Sequence, residues 1–163
     1  MLVVSDTHLG AGQADRLIDR LGERLQRADA IVHAGDVTDA SVLDALSAHA
    51  PLHAVLGNND IGLVLPERIE VRIAGCTVAA VHDSGPSTGR APRLRRWFPT
   101  ADVVLFGHSH APWHEQHVDH RGHVQHHVNP GSAMHRRREP RCTIAWLTLD
   151  DGSVTDVRHE AVG

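Results

Sequence analysis

The chain has 163 residues, of which 41% are hydrophobic and 3% aromatic, and its formal net charge is −4 at pH 7. This length predicts a single domain over residues 1–163 that can bury its own core. The net charge argues against a protein whose whole surface binds nucleic acid. No stretch approaches the roughly 20 apolar residues of a membrane-spanning helix. Two cysteines and the lack of a leader sequence predict reduced thiols in a cytoplasmic protein.

The first part of the chain alternates short apolar runs with amphipathic segments. Leu2–Val4 is a β-branched run that predicts a strand, and apolar residues at helical spacing then predict a helix over residues 13–28. Residues 30–34 form the next apolar run, and Thr38 or Asp39 can cap a second helix. Strand and helix therefore occur twice in succession.

The remainder of the chain contains more strand-like than helical segments. Residues 52–56 predict a third strand, residues 69–81 a hairpin, residues 91–98 a short arginine-rich helix, and residues 103–106 a buried strand. Four antiparallel strands are predicted beyond these, over residues 113–117, 122–128, 142–149 and 154–159.

Polar side chains follow the predicted strands at the points where they end. The early alternation implies a parallel sheet, and the later run of strands implies a second, mostly antiparallel one. Because ligand sites in open α/β sheets gather at the carboxyl ends of strands, we expect these side chains to come together. They are Asp6, His8, Asp36, Asn58, His82, His108 and His110.

The chemistry of this set favours two divalent metal ions. Two carboxylates, four imidazoles and one amide suit manganese, iron or zinc, whereas calcium and magnesium prefer oxygen ligands and structural zinc prefers thiolates. Such a pair of ions needs a bridging carboxylate and makes hydroxide available near neutral pH. Two carboxylates do not neutralise two divalent cations, and the remaining positive charge of such a site favours a phosphate ester as the substrate. We predict metal-dependent phosphoester hydrolysis, with manganese preferred and iron, zinc or nickel as alternatives.

Five motifs in a fixed order resemble those of the calcineurin-like metallophosphoesterase superfamily: Asp6-Thr7-His8, Gly35-Asp36, Gly57-Asn58-Asn59-Asp60, His82 and Gly107-His108-Ser109-His110. Residues 129–132, Asn-Pro-Gly-Ser, are similar to a turn of its small prokaryotic phosphodiesterase branch. The resemblance covers nearly the whole chain. It implies a four-layer α/β/β/α sandwich of two mixed sheets flanked by helices. It also implies hydrolysis of a small organic phosphate, more specifically a phosphodiester, by a metal-bridging hydroxide.

The resemblance also implies a role for each ligand. Asp36 would bridge the two ions, and Asn58 could in addition contact the substrate phosphate. The first ion would be held by Asp6, His8, Asp36 and His110, and the second by Asp36, Asn58, His82 and His108.

One position departs from the family pattern. In the well-characterised phosphatases and repair nucleases, the residue after the asparagine ligand is a histidine that can protonate the leaving group, whereas this chain has Asn59. Substrates with poor leaving groups should therefore react slowly, unless Asp60 or a water supplies the proton. Asn58, Asn59 and Asp60 are accordingly the candidate catalytic residues.

Two other functions fit parts of the pattern. An interaction scaffold, similar to the retromer subunit that shares this fold, is disfavoured because every ligand position here is chemically competent. A nuclease is disfavoured by the negative charge and by the missing histidine after Asn58. The sequence leaves open whether the chain forms a homo-oligomer.

Other polar residues have simpler explanations. His33 lies inside an apolar run, so we expect a buried structural residue or a support for a ligand. The arginines of residues 90–96 and 136–138 could clamp a phosphate, but a solvated surface is the expected role. The histidines of residues 114–127 are expected to line a solvated hairpin.

Overall fold

The computed structural model describes all 163 residues and contains two five-stranded sheets. The first sheet has the order β10-β9-β1-β2-β3 and consists of β1 (Leu2–Val4), β2 (Ile31–His33), β3 (Leu52–Ala54), β9 (Cys142–Asp150) and β10 (Ser153–Val162). The second has the order β4-β5-β6-β8-β7 and consists of β4 (Arg68–Ile73), β5 (Cys76–Val81), β6 (Val103–Leu105), β7 (Pro112–Val118) and β8 (Val124–Pro130).

Both sheets are mixed, as the family resemblance implied. In the first sheet β1, β2 and β3 pair in parallel, while β9 pairs antiparallel with both β1 and β10. In the second sheet β5, β6 and β8 are parallel, and the edge strands β4 and β7 are antiparallel to their neighbours. The expectation that the late strands form a separate antiparallel sheet is wrong. Because β1 is fully buried, both of its edges need a partner, and β9 provides the second one.

The helices are short. They are α1 (Ala14–Leu21), a 3₁₀ helix (Gly22–Arg27), α2 (Ala40–Ser47) and α3 (Arg90–Trp97). The predicted helix over residues 13–28 is interrupted because Gly22 has φ 52°, outside the right-handed helical region. Asp39 caps α2 through a side chain that accepts a hydrogen bond from Ser41 N at 3.0 Å. None of these helices has the length and apolar character that crossing a bilayer requires.

Successive residues of β1 face different layers of the molecule. Leu2 and Val4 pack with Leu17 of α1 in one apolar cluster, whereas Val3 belongs to a second cluster with Val78 of β5. This is the alternation that a strand buried on both faces produces.

A third apolar cluster lies on the outer face of the second sheet. There Leu94 of α3 packs with Val104 of β6 and with Phe106. The layers therefore run helix, sheet, sheet, helix, which confirms the α/β/β/α sandwich.

Candidate functional site

Loops at the carboxyl ends of strands from both sheets lie next to each other and are joined by hydrogen bonds and close contacts. Asp6 N donates to Gly35 O at 3.0 Å, and Gly107 N donates to His82 O at 2.9 Å. A Cβ atom on Gly107 would lie 2.8 Å from Asp6 Oδ2, so only glycine lets the loop after β6 approach the loop after β1 this closely. The motifs predicted from the sequence therefore meet at one rim of the sandwich.

Strained backbone is concentrated at this rim. Five of the seven predicted ligands are non-glycine residues with positive φ, in the left-handed region that costs about 1 kcal/mol or more per residue. The five values are 54° for Asp6, 46° for His8, 57° for Asp36, 67° for His108 and 62° for His110. Such a concentration of strain is typical of residues that are held in position for a function.

Three ligand atoms converge on one side of the site. His110 Nε2 lies 3.3 Å from Asp6 Oδ1 and 3.3 Å from His8 Nε2. Asp6 Oδ1 is fully buried and has no hydrogen-bond partner. Because a buried carboxylate oxygen without a partner is destabilising, a cation at this point would satisfy it. The three residues form a geometrically competent ligand group.

Asp36 joins this group to a second one. Its Oδ2 atom lies 3.4 Å from His8 Nε2 and also 3.4 Å from His82 Nε2. Asn58 Oδ1 lies 3.2 Å from His82 Nε2 and 2.9 Å from His108 Nδ1. These contacts bring all seven residues predicted from the sequence to one place, where Asp6, Asp36 and His82 form a second competent ligand group.

The imidazoles are arranged to present lone pairs inward. Carbonyl oxygens only accept hydrogen bonds, so His110 Nδ1, bonded to His135 O, and His82 Nδ1, bonded to Ala34 O at 2.7 Å, carry protons. Their Nε2 atoms remain for a metal. Burial lowers the pKa of His110 to about 4 and also lowers the pKa of His8, which favours the neutral, metal-binding form of both.

The two carboxylates have different electrostatic environments. Burial raises the pKa of Asp6 to about 6. Burial acts in the same direction on Asp36, but hydrogen bonds with His82 and Asn59 outweigh it and hold the pKa of Asp36 well below its usual range. For His82, burial is outweighed by its bonds to Asp36 and Ala34 O, so its pKa is raised. Asp36 is therefore the more acidic of the two carboxylates.

Asn59 and Asp60 both support Asp36. Asn59 donates from its backbone N to Asp36 Oδ1 at 2.8 Å and from Nδ2 to Asp36 Oδ2 at 2.6 Å. Asp60 is buried, and its carboxylate accepts N–H bonds from Asp36 at 3.1 Å, Gly57 at 2.7 Å and Thr38 at 2.7 Å. Both oxygens of Asp60 thus face the backbone and hold the loops after β2 and β3 together.

Residues beyond the predicted ligands hold the site in place. Ser132 Oγ donates to Asp6 O at 2.7 Å, and Asn129 Nδ2 donates to Gly107 O at 2.8 Å. His135 contributes the carbonyl that orients His110. The Asn-Pro-Gly-Ser sequence indicated a turn at residues 129–132, but it did not predict these contacts.

His33 is a buried structural residue and not part of either ligand group. Its Nε2 atom lies 3.1 Å from Thr7 Oγ1. Burial lowers its pKa to about 3, so the ring stays neutral. The sequence-based expectation for His33 agrees with this position.

The site is open to solvent on one side. Asp6, Asp36, His82 and His110 are buried, whereas Asn58 and His108 are exposed. Two depressions adjoin these residues, one of about 340 Å³ beside Asn58 and His82 and one of about 400 Å³ beside Ser109. A larger depression of about 540 Å³ lies elsewhere, between the β7–β8 and β9–β10 hairpins, and contains none of the ligands.

Clustered imidazole nitrogens, carboxylates and an unpartnered buried carboxylate oxygen are donors that fit a divalent metal ion. The fold and the site together define a metal-binding α/β protein with its centre at the carboxyl ends of the strands.

Comparison with known proteins identifies the family. The model of the calcineurin-like phosphoesterase superfamily domain matches residues 1–152. A "Probable metallophosphoesterase" of Methanocaldococcus jannaschii is 34% identical over 155 residues, which cover 91% of this chain and 75% of that protein. This chain belongs to the calcineurin-like phosphoesterase superfamily, a family of metal-dependent phosphoester hydrolases.

Solved structures share the fold at lower sequence identity. A structure described as a novel archaeal phosphodiesterase has a TM-score of 0.72 and 19% identity, with 98% of each chain covered. Vps29 of Entamoeba histolytica in complex with Zn²⁺ has a TM-score of 0.68 and 19% identity, with 98% of this chain and 96% of that chain covered. These two likenesses establish the fold alone.

Proposed function

We propose that this protein is a phosphodiesterase that uses two divalent ions, preferably manganese, to hydrolyse a small organic phosphate. The observation that carries the proposal is the position of Asp36 Oδ2, which lies 3.4 Å from an imidazole nitrogen of each ligand group. Family membership supports the reaction class, and the fold shared with an archaeal phosphodiesterase is compatible with a diester substrate.

The proposed division of the ligands between the two ions is the one that the family motifs imply. One ion would be held by Asp6, His8, Asp36 and His110, and the other by Asp36, Asn58, His82 and His108. When bound, the two ions would supply a water of lowered pKa as the nucleophile and positive charge for the phosphate.

We propose that Asn58 orients the substrate as well. Its Oδ1 atom faces His82 and His108, while its Nδ2 donates no hydrogen bond within the chain and the residue is exposed. An oxygen of a phosphate that enters from solvent could accept hydrogen bonds from the N–H groups of Asn58 Nδ2. Asn58 would thus fix the phosphorus in line with the attacking water.

Asn59 and Asp60 are proposed as positioning residues for Asp36. Asn59 has no titratable proton and is already bonded to Asp36, and both Asp60 oxygens are occupied by backbone N–H groups. With neither side chain free to protonate the leaving group, the departing alcohol must leave as an anion or take a proton from water. Activated substrates should therefore react much faster than alkyl esters.

A series of aryl methyl phosphodiesters with leaving groups of increasing pKa tests this proposal on metal-reconstituted protein. We expect hydrolysis with manganese and a steep fall of kcat/KM as the pKa of the leaving group rises. If kcat/KM did not change with the pKa of the leaving group, a general acid would be protonating that group. If no mono- or diester is hydrolysed with manganese, iron, zinc or nickel, the enzymatic proposal is wrong.

An interaction scaffold is the second candidate function. The loop after Asn58 exposes two large apolar side chains, Ile61 at 92% and Val64 at 100%, and Vps29 proteins share the fold. A defined protein partner that binds after chelation of the metals and is lost in an Ile61→Ser/Val64→Ser variant would favour this candidate, provided that turnover is also absent.

We further propose that the protein works in the cytoplasm. Cys76 and Cys142 are both buried and free, as expected for a chain that folds without disulfides. Co-fractionation with cytoplasmic marker enzymes would test the location, and recovery with exported proteins would contradict it.

A further inference from the structure

Three consecutive arginines border the candidate metal site on its open side. They are Arg136, Arg137 and Arg138, here called the arginine loop, and they follow His135 directly. We propose that the arginine loop binds a second phosphate of the substrate, so that the substrate is a phosphodiester that carries a further phosphate on one arm. This inference rests on the proposed function and specifies the class of its substrate.

The arginine loop is tied to the metal site at its base. Ser132 Oγ accepts N–H from His135 at 2.8 Å and donates to Asp6 O at 2.7 Å. His135 O accepts a hydrogen bond from His110 Nδ1. The segment that leads into the arginine loop therefore contacts residues of the first ligand group, which fixes the position of the arginines relative to the candidate metal site.

Arg137 is directed along the rim of the site. Its Nη1 atom donates to His108 O at 3.4 Å, next to the ligand that faces solvent. Its backbone has φ 49°, a left-handed conformation that non-glycine residues rarely adopt. The guanidinium therefore lies beside the ligand group.

The charges of the arginine loop are not neutralised within the protein. None of its three guanidinium groups forms an ion pair with a carboxylate; Arg136 Nη1 instead donates to the carbonyl oxygen of Glu139 at 2.7 Å. Together with Ser109 and Glu139, the three arginines line the depression of about 400 Å³. Three positive charges against one carboxylate, in a concave surface, suit an anion that can accept paired N–H bonds, as phosphate does.

The depression beside Asn58 and His82 has a different character. It is lined by Glu67 and Asp83 as well as Arg68, and the Arg68 guanidinium lies 4.1 Å from the centre of the Trp97 ring. With two carboxylates and one arginine engaged by an aromatic ring, this side has no excess of positive charge. The anionic arm of the substrate is therefore assigned to the arginine loop.

Two matched substrates isolate the contribution of the second phosphate. One is the 4-nitrophenyl ester of thymidine 5′-monophosphate, and the other is the same ester with a phosphate on the 3′ oxygen. Both release 4-nitrophenolate from the 5′ phosphorus, so the leaving group is constant. For the manganese-loaded protein we expect kcat/KM to be about tenfold higher or more for the 3′-phosphorylated ester, as one charge-assisted contact would produce.

Substitutions then identify the group responsible. Arg137→Ala should reduce the ratio of the two kcat/KM values to near one, and Arg137→Lys, which keeps the charge, should give an intermediate ratio. Arg121→Ala, on the exposed turn between β7 and β8, is the matched control and should keep the wild-type ratio. A wild-type ratio near one, or an unchanged ratio in Arg137→Ala, would overturn the inference.

Binding provides a readout that does not depend on turnover. Calorimetric titration with thymidine 3′,5′-bisphosphate should give an affinity that Arg137→Ala weakens by about tenfold and Arg121→Ala does not change. Equal affinities in wild type and Arg137→Ala would contradict the proposed second phosphate site. Binding of this kind without hydrolysis of either ester would instead show that the proposed function fails while the anion site exists.

Discussion

Gly57 lies so close to Asp36 that a single added methyl group should disable the metal site. A Cβ atom on Gly57 would lie 2.1 Å from Asp36 N and 2.3 Å from Asp36 Oδ1, whereas ordinary contacts begin at 3.4 Å. Asp36 would have to retreat by about 1 Å, and its N–H bond to Asp60 and its bond from Asn59 would break or lengthen. We expect Gly57→Ala to weaken manganese binding by about 100-fold and to lower stability by about 1–3 kcal/mol.

Gly10→Ala is the matched control for this substitution. Gly10 lies in the loop after β1, but the nearest atom to its added Cβ would be Gln13 Cδ at 4.0 Å, so nothing needs to move. Manganese affinity is measured by calorimetry on chelator-treated protein, and folding by circular dichroism. If Gly57→Ala folded and bound manganese as tightly as Gly10→Ala and wild type, the reasoning that links the Gly57 contact to the position of Asp36 would be refuted.

Three further substitutions probe other parts of the structure. Asp60→Asn should lower the free energy of unfolding in urea titrations by about 1–3 kcal/mol, because its amide cannot accept all three N–H bonds; an unchanged free energy of unfolding would contradict this role. In metal-free protein the pKa of buried His33 is about 3, below its unfolded value of 6.5. As the pH falls below 6.5, the unfolded state therefore binds a proton at His33 that the folded state does not bind, and the free energy of unfolding falls by about 1.4 kcal/mol per pH unit. His33→Leu should remove this contribution. Equal slopes of the free energy of unfolding against pH in wild type and His33→Leu would contradict this. Leu17→Ala should lower the free energy of unfolding by about 2–5 kcal/mol in urea titrations, since Leu17 is 0% exposed, without changing the number of ions bound.

The ligand positions could be predicted from the sequence because each follows a short apolar run. A run such as Val103–Leu105 is visible without a structure, and a polar residue after it must lie at the end of a strand. Parallel strands bring such ends to the same edge, so Asp6 and Asp36, which follow the neighbouring strands β1 and β2, could be placed near each other before any contact was known. The family motifs then divided the ligands between two ions.

The order of the strands could not be predicted in the same way. β9 pairs with β1 through Trp146 and Leu2, residues from opposite ends of the chain, and no local pattern encodes a pairing over that separation. The interruption of the first helix at Gly22 is a similar case, because a glycine within a helical pattern is compatible with either continuation or a break.

Asp60 and Arg137 show which side-chain roles depend on tertiary structure. From the sequence, Asp60 was a candidate acid, and its bonds to the backbone of Asp36 and Thr38 depend on how two distant loops fold against each other. Arg137 was expected on a solvated surface, and it is indeed exposed. Its contact with His108 O, on which the proposed phosphate site depends, becomes visible only when the loops after β6 and β8 are placed together.

The number of manganese ions bound per chain tests the proposed two-ion site most directly. Calorimetric titration of chelator-treated wild type, with metal content checked by mass spectrometry, should give two ions per chain. Asp36→Asn, which removes the carboxylate charge 3.4 Å from both His8 and His82, should lose tight binding of both ions together with hydrolysis of bis(4-nitrophenyl) phosphate. Wild type that binds one ion or none, or an Asp36→Asn variant that binds two and remains active, would contradict a dinuclear site bridged by Asp36.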